Sequence, residues 1–592
     1  MTTTAPPDEV TPAPVRKSPV DPGTDGGTPS LLKRFLTPKT LILVLVAAVI
    51  FWFGVVPLWY LLQVTFLDPD TGQFTVGAFQ EAYGNSKLFS LVGTSLWFAF
   101  GAAILSLIVG TGLAYLIVRT DVPFKALFFA SSIIPLVIPG ILYTVSWILL
   151  ADSDIGLINR YLEKLPLIGE GFFDIESVWG MIWVEGLHLS PIVFLLMVAA
   201  FRAMDPSLEE SAQMSGASRA TIIRKITLPL ILPAIVGAML IMTVRSLESF
   251  EVPALLGVPA NIYVFTSQIY FELRGWPIGY DTAGALAVGL LGLALIGVTL
   301  SNLIGRGSKS YQTVTGKAFR PRPIELGKYR PIAGAVVIAY FLIAVVLPLL
   351  VLAYCSFQPY YQLPSMDAFR SFTLDNFRDV LDNPTVLRAL KNSLILGVGS
   401  ATVVMAFMAV ASWITVRTRI PGRQLIDTFT FVPLTIPGLI MGVALLVTYL
   451  NFPIGVYGTL WLLGIAYFTR YMPYGMRYAV TSQHQIGAEL EESAYMSGAS
   501  WWQTFRRVLL PLLMPGLLSG WIYILVVSFR ELSSSILLYT SGSEVLGIVI
   551  WEEWENGSMA VVSAIGVLMV LTLVVLVSIA YKLGAKVGLQ QD

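Results

Sequence analysis

Long apolar stretches dominate this chain, separated by short polar segments that carry most of its charge. A run of about twenty apolar residues is long enough to cross a bilayer core as a helix. Such runs fall at approximately 40–66, 91–118, 124–150, 178–202, 229–250 and 281–304, then at 331–357, 390–416, 424–450, 456–480, 512–531 and 559–582. The pattern predicts an all-α polytopic membrane protein of two tandem six-helix units, about 12 transmembrane helices in all. Residues 1–38 are rich in Thr, Pro and Asp and lack apolar periodicity, which predicts a disordered tail. The first run has no small-residue cleavage site after it, so it reads as a retained helix rather than a secretory signal.

The two halves repeat one another. Phe74-Thr75, Phe79 and Asn85 return as Phe372-Thr373, Phe377 and Asn383, and Ser95-Leu96 returns as Ser393-Leu394. Arg119-Thr120 and Pro123 return as Arg417-Thr418 and Pro421; Pro135 and Ile138-Pro139-Gly140 return as Pro433 and Ile436-Pro437-Gly438, all displaced by 298 positions. Further on, Glu209–Pro233 returns without a gap as Glu491–Pro515, a displacement of 282, so the loop at 151–177 is longer than its counterpart by 16 residues. An even number of spans returns the chain to its starting side, so the unit repeats in parallel. The expected divisions are a tail (1–38), a first half (39–305), a basic linker (306–330), a second half (331–585) and a C-terminal tail (586–592).

Composition agrees with a bilayer protein: 55% of the 592 residues are hydrophobic, 12% are charged, and the mean hydropathy is +0.74. A net charge of zero removes a global electrostatic argument for nucleic acid. The single cysteine, Cys355, excludes an intrachain disulfide, and with only His188 and His484 a histidine-rich metal cluster is excluded too. Lys and Arg gather before the first helix, between the second and third, and in the linker, whereas 151–177 is acidic. The positive-inside rule therefore puts both termini, the linker and both copies of the repeated Glu-Glu-Ser-Ala segment on the cytoplasmic side of a cell inner membrane.

That segment, EESAQMSGASRATIIRKITLPLILP in its first copy, is polar and amphipathic between apolar neighbours. Glu209 and Glu210 suit the first turn of a helix, Gly216 and Gly498 permit a reversal, and Ser218 and Ser500 can cap a second helix that ends at the proline opening the next span. A helix–turn–helix on the membrane face is expected, and its gapless duplication points to two docking points for one partner rather than to an ordinary interfacial connector.

The segment resembles the EAA loop of binding-protein-dependent ABC importer permeases. Glu210-Ser211-Ala212, Gly216 and Ile226-Thr227-Leu228-Pro229 match its form, as do Glu492-Ser493-Ala494, Gly498 and Val508-Leu509-Leu510-Pro511, with Ser for the first Ala in both and Val508 for Ile. The resemblance implies a type I importer-like fold, EAA-like loops at 205–229 and 487–511, and ATPase coupling through Glu209, Glu210, Ala212, Gly216, Glu491, Glu492, Ala494 and Gly498. It also implies two ATP-binding cassette subunits as a homodimer, an external solute-binding protein, and ATP consumed by the partner with no cofactor on this chain. No G-x-x-x-x-G-K-[ST] loop is present; Gly305-Arg306-Gly307-Ser308-Lys309-Ser310 lacks the spacing. Hence the chain reads as a transport subunit, not an enzyme.

Charges inside apolar runs mark function by default. Arg245, Glu248 and Glu251 close the fifth span; Arg530 and Glu531, followed by Ser533, Ser534 and Ser535, close its repeat, with Arg530 opposite Glu248. Glu248, Glu251, Arg530, Glu531 and Ser534 are therefore the candidate path or gate residues. Glu248 and Glu251, three apart, would share a helix face suited to a hard cation; the alternative is a structural ion pair of Glu248 with Arg530 or Arg245. Glu185 and His188 read as an internal hydrogen-bonded pair, and no metal site is assigned. The phrases around Glu248 and Arg530 look like those of fused ferric iron permeases, with thiamine, phosphonate or polyamine as alternative cargoes. An ion-coupled secondary transporter with twelve spans, and a membrane scaffold without an ATPase, are the rival readings.

Overall fold

Two helical halves form the computed structural model, which describes residues 38–585 apart from 69–70, 85–86, 166–170, 206, 308–322, 419 and 453. The two expected tails, but for Pro38, and most of the linker lie outside the described residues. The first half runs α1 (Thr40–Phe66), α2 (Phe89–Arg119), a bent pair α3 (Lys125–Leu136) and α4 (Gly140–Ala151), α5 (Val178–Ala203), α6 (Ser207–Met214), α7 (Arg219–Leu247), α8 (Phe265–Arg274) and α9 (Tyr280–Leu300). The second runs α10 (Gly327–Ser356), α11 (Pro384–Arg417), a bent pair α12 (Arg423–Thr435) and α13 (Gly438–Asn451), α14 (Leu460–Gln485), α15 (Glu489–Met496), α16 (Trp501–Phe529), α17 (Leu546–Glu555) and α18 (Met559–Lys582).

Nine of these helices are long and apolar enough to cross a membrane, or eleven with each bent pair taken as one span, among the described residues. The twelfth expected span is α14, the repeat of α5 at a displacement of 282. Arg470, Arg477, Gln483 and His484 make it more polar than the other spans; Gln483 is buried and Arg470 half-buried, whereas Arg477 and His484 are exposed.

The spans expected at 124–150 and 424–450 are not straight. They bend by 99° and 109° just before Gly140 and Gly438. Pro139 and Pro437 lack the N–H that would continue the helix, and each drives the residue before it out of the helical region. A second departure concerns the repeated motif, whose second helix does not stop at the proline. It continues unbroken into the span, as α7 and α16, through a π-helical turn at Ile223–Thr227 or Phe505–Leu509 just ahead of Pro229 or Pro511. Widening the turn there absorbs the bond that the proline cannot donate.

In space the halves exchange their first helices. On α1, Phe51 packs on Phe429, Trp52 on Phe452 and Phe53 on Phe468, all in the second half, and the Trp52 indole donates to the Tyr449 hydroxyl at 3.2 Å. Reciprocally, Tyr340 on α10 shares a 3.1 Å hydrogen bond with Ser190 on α5. Residues repeated in sequence do repeated work: Ser95 Oγ accepts the Phe265 N–H that opens α8, and Ser393 Oγ accepts the Leu546 N–H that opens α17.

Candidate coupling loops and a cavity between the halves

Each motif copy is a short helix, a left-handed glycine and a capped second helix. After α6, the Gly216 N–H donates to Gln213 C=O and the Ala217 N–H reaches back to Ala212 C=O; after α15, Gly498 and Ala499 do the same to Tyr495 and Ala494. This closure needs a positive φ, and Gly216 and Gly498 supply it at 81° and 82°. Ser218 and Ser500 then cap the next helices by accepting from the Thr221 and Gln503 N–H groups. The exposed apex of each turn carries Met214 and Met496, 90% and 89% exposed.

Glu210, Glu492, Gly216 and Gly498 are exposed, and Ala212 and Ala494 half-buried. Glu209 and Glu491 depart from the expected docking surface, because both are buried in ion pairs. Glu209 pairs with Arg119 and accepts from Thr227 Oγ1 at 2.5 Å; Glu491 pairs with Arg417 at 3.1 Å and accepts from the Trp413 indole at 3.4 Å. A carboxylate at that depth must be paired, and removing one partner of such a pair typically costs about 3–5 kcal/mol. The arginines end α2 and α11, so sequence reasoning saw them only as boundary charges. Asp121 receives the Leu326 N–H and lies 3.9 Å from Arg330, which fixes the start of α10 on the same side as the first motif.

Where α5, α7, α14 and α16 converge, a cavity of about 700 Å³ lies between the halves. Glu185, Glu248, Glu251, Glu531, Arg245, Arg470 and Arg530 line it, and it follows α5 from Glu185 to Ala199, towards the motif-bearing end. Glu248 pairs with Arg245 at 3.6 Å, not with Arg530, whose guanidinium donates to the Leu136 carbonyl. Arg245 also donates to the Tyr474 hydroxyl at 2.7 Å. Glu531 pairs with Arg470 at 3.2 Å and accepts from the Tyr471 hydroxyl and from both N–H and Oγ of Ser534. Ser534 is thus fully buried as a support for Glu531, and Ser533 lines the cavity in its place.

Glu248 and Glu251 do not share a helix face. The helix breaks at Ser249 and Phe250, and both carboxylates reach the cavity from either side of the break. Glu185 accepts from Ser249 at 3.0 Å, while the His188 ring packs edge-on against Tyr143, so these two do not form the expected pair. Among the described residues no group of three or more His, Cys, Asp or Glu is gathered as for a metal ion. Arg470, Tyr474 and Tyr523 were not singled out from the sequence; Arg470 was findable as a charge inside an apolar run, at the repeat position of His188. Its guanidinium fills the space over Gly438, where any Cβ would collide with it.

The model of the family "binding-protein-dependent transport system inner membrane component" matches residues 401–586. The chain is 26% identical over 522 residues to a putative ferric transport system permease protein of Haemophilus influenzae, covering 87% of this chain and 80% of that one. It is 24% identical over 536 residues to a ferric transport system permease protein of Actinobacillus pleuropneumoniae, covering 89% and 76%. A putative 2-aminoethylphosphonate transport system permease protein of Salmonella typhimurium is 28% identical over 265 residues, 44% of this chain and 98% of that one. Two repeated helical halves with nine to eleven membrane-spanning helices among the described residues, a duplicated EAA-like loop and these relatives together make the chain a membrane-spanning protein similar, along most of its length, to the permeases of binding-protein-dependent ABC importers.

Proposed function

We propose that the chain forms the translocation path of an ATP-driven importer and is coupled through its two EAA-like loops to a pair of ATP-hydrolysing subunits. The loops and both termini face the cytoplasm, an external binding protein delivers cargo to the opposite face, and this chain holds no cofactor. The observation that carries this reading is the pair of matching, outward-turned loops, each continuous with a helix that reaches the cavity. A push on the turn at Gly216 or Gly498 is transmitted along α7 or α16, each helical from the turn to Leu247 or Phe529 beside the cavity residues Glu248 and Arg530.

The cargo we propose is ferric iron, as named for two relatives that align along most of this chain. Glu248, Glu251 and Glu531 offer the oxygen ligands a hard cation takes in passing. The second reading is a phosphonate, favoured by Arg245, Arg470 and Arg530 in the same cavity and by a relative so named. Uptake of radiolabelled ferric iron, in cells with and without the gene for this chain, separates them. Iron uptake that needs the chain and stops on ATP depletion supports the first reading. Uptake of 2-aminoethylphosphonate instead supports the second, and uptake that persists without ATP on an ion gradient contradicts both.

A further inference from the structure

The buried pairs Arg119–Glu209 and Arg417–Glu491 recur at both motifs although their members belong to segments with different repeat displacements, 298 for the arginines and 282 for the glutamates. The same bond has therefore been kept across an unequal intervening loop. Each ties the first helix of a motif, α6 or α15, to the end of a membrane helix that is not its chain neighbour. Those membrane helices pack tightly on the cavity wall. A Cβ at Gly110 of α2 would meet Ser190 and Val193 of α5 at 2.7 Å, and one at Gly186 of α5 would meet the Leu105 side chain at 2.8 Å. In the second half, Gly475 of α14 stands against Val404 and Met408 of α11. Helices in contact at that range cannot slide past one another without moving together.

From this we propose that Arg119 and Arg417 are positioning residues of the coupling device. They clamp each loop to α2 or α11, so that loop displacement reaches α5 and α14, and the cavity between them, by a second route beside the direct one through α7 and α16. The inference rests on the coupling reading above but assigns the load to side chains that face away from any docked partner. The two clamps differ in their further partners. Thr227 completes the first, while in the second Trp413 donates to Glu491, and Arg417 donates also to the Gln483 and Ile486 carbonyls.

The test uses the full chain with its copurified ATPase in lipid vesicles, in a Cys355→Ser background, with nitroxide labels at Leu196→Cys and Val526→Cys on opposite cavity walls. In the otherwise unaltered chain, trapping ATP on the ATPase should change the label distance. Arg119→Met alone can fail to fold, so the decisive variant is the paired Arg119→Met/Glu209→Leu, which leaves no buried unpaired charge. It should retain the ATPase and its hydrolysis while the population that shifts on ATP falls roughly tenfold. The reversed pair Arg119→Glu/Glu209→Arg should recover part of the shift, and Arg417→Met/Glu491→Leu should reduce it as the first paired variant does. A full shift in the paired variant, or loss of the bound ATPase, would overturn the clamp. No shift in the unaltered chain would overturn the coupling reading and the clamp with it.

Discussion

Glycine is where single residues matter most in this chain. Gly216 and Gly498 have open space around the missing side chain and a positive φ. Their constraint within the chain is conformational, and Gly216→Ala should cost about 1–2 kcal/mol of local stability, read as faster proteolysis at the loop with the bilayer helices unchanged. Gly438 is the opposite case. Gly438→Val should push Arg470 off Glu531 and abolish transport while the chain still inserts, measured as normal membrane yield with lost uptake. At the end remote from the motifs, Glu544 is pulled two ways: burial raises its carboxyl, but Arg388 at 3.0 Å and backbone N–H groups bring it below the usual range. A depressed carboxyl stabilises above its unfolded value of about 4 and loses that contribution as pH falls through its folded value. Arg388→Ala should thus lower the melting temperature of the detergent-solubilised protein at pH 7, and the gap to the unaltered chain should shrink on acidification towards pH 3.

Among the elements, the apolar runs and the repeat were legible because a bilayer admits few alternatives to a helix, and a duplicated segment keeps its spacing. The 99° and 109° bends were not, since Ile138-Pro139-Gly140 and Ile436-Pro437-Gly438 stood out only as repeated phrases inside apparently continuous apolar runs. Pairing across elements was not legible at all. Glu248 was set opposite Arg530 by repeat position, yet the fold turns Arg530 to the Leu136 carbonyl and leaves Glu248 to Arg245 on its own helix. Likewise Glu209 looked like an outward acid until Arg119 came to it from another helix. A double-mutant cycle on uptake should therefore give a coupling of roughly 1–3 kcal/mol for Arg470 with Glu531 and near zero for Glu248 with Arg530.

The whole molecule joins a mixed-charge cavity between two halves to a pair of handles at one end, with first helices exchanged so that neither half moves wholly alone. The central claim is that both handles are held by an ATPase. Single cysteines at Met214 and Met496, in a Cys355→Ser background, test it by cross-linking within the intact complex. The account predicts that each position cross-links to an ATP-binding subunit and is shielded from membrane-impermeant thiol reagents applied outside the cell. Labelling from outside, or cross-links from either position to lipid alone, would contradict it.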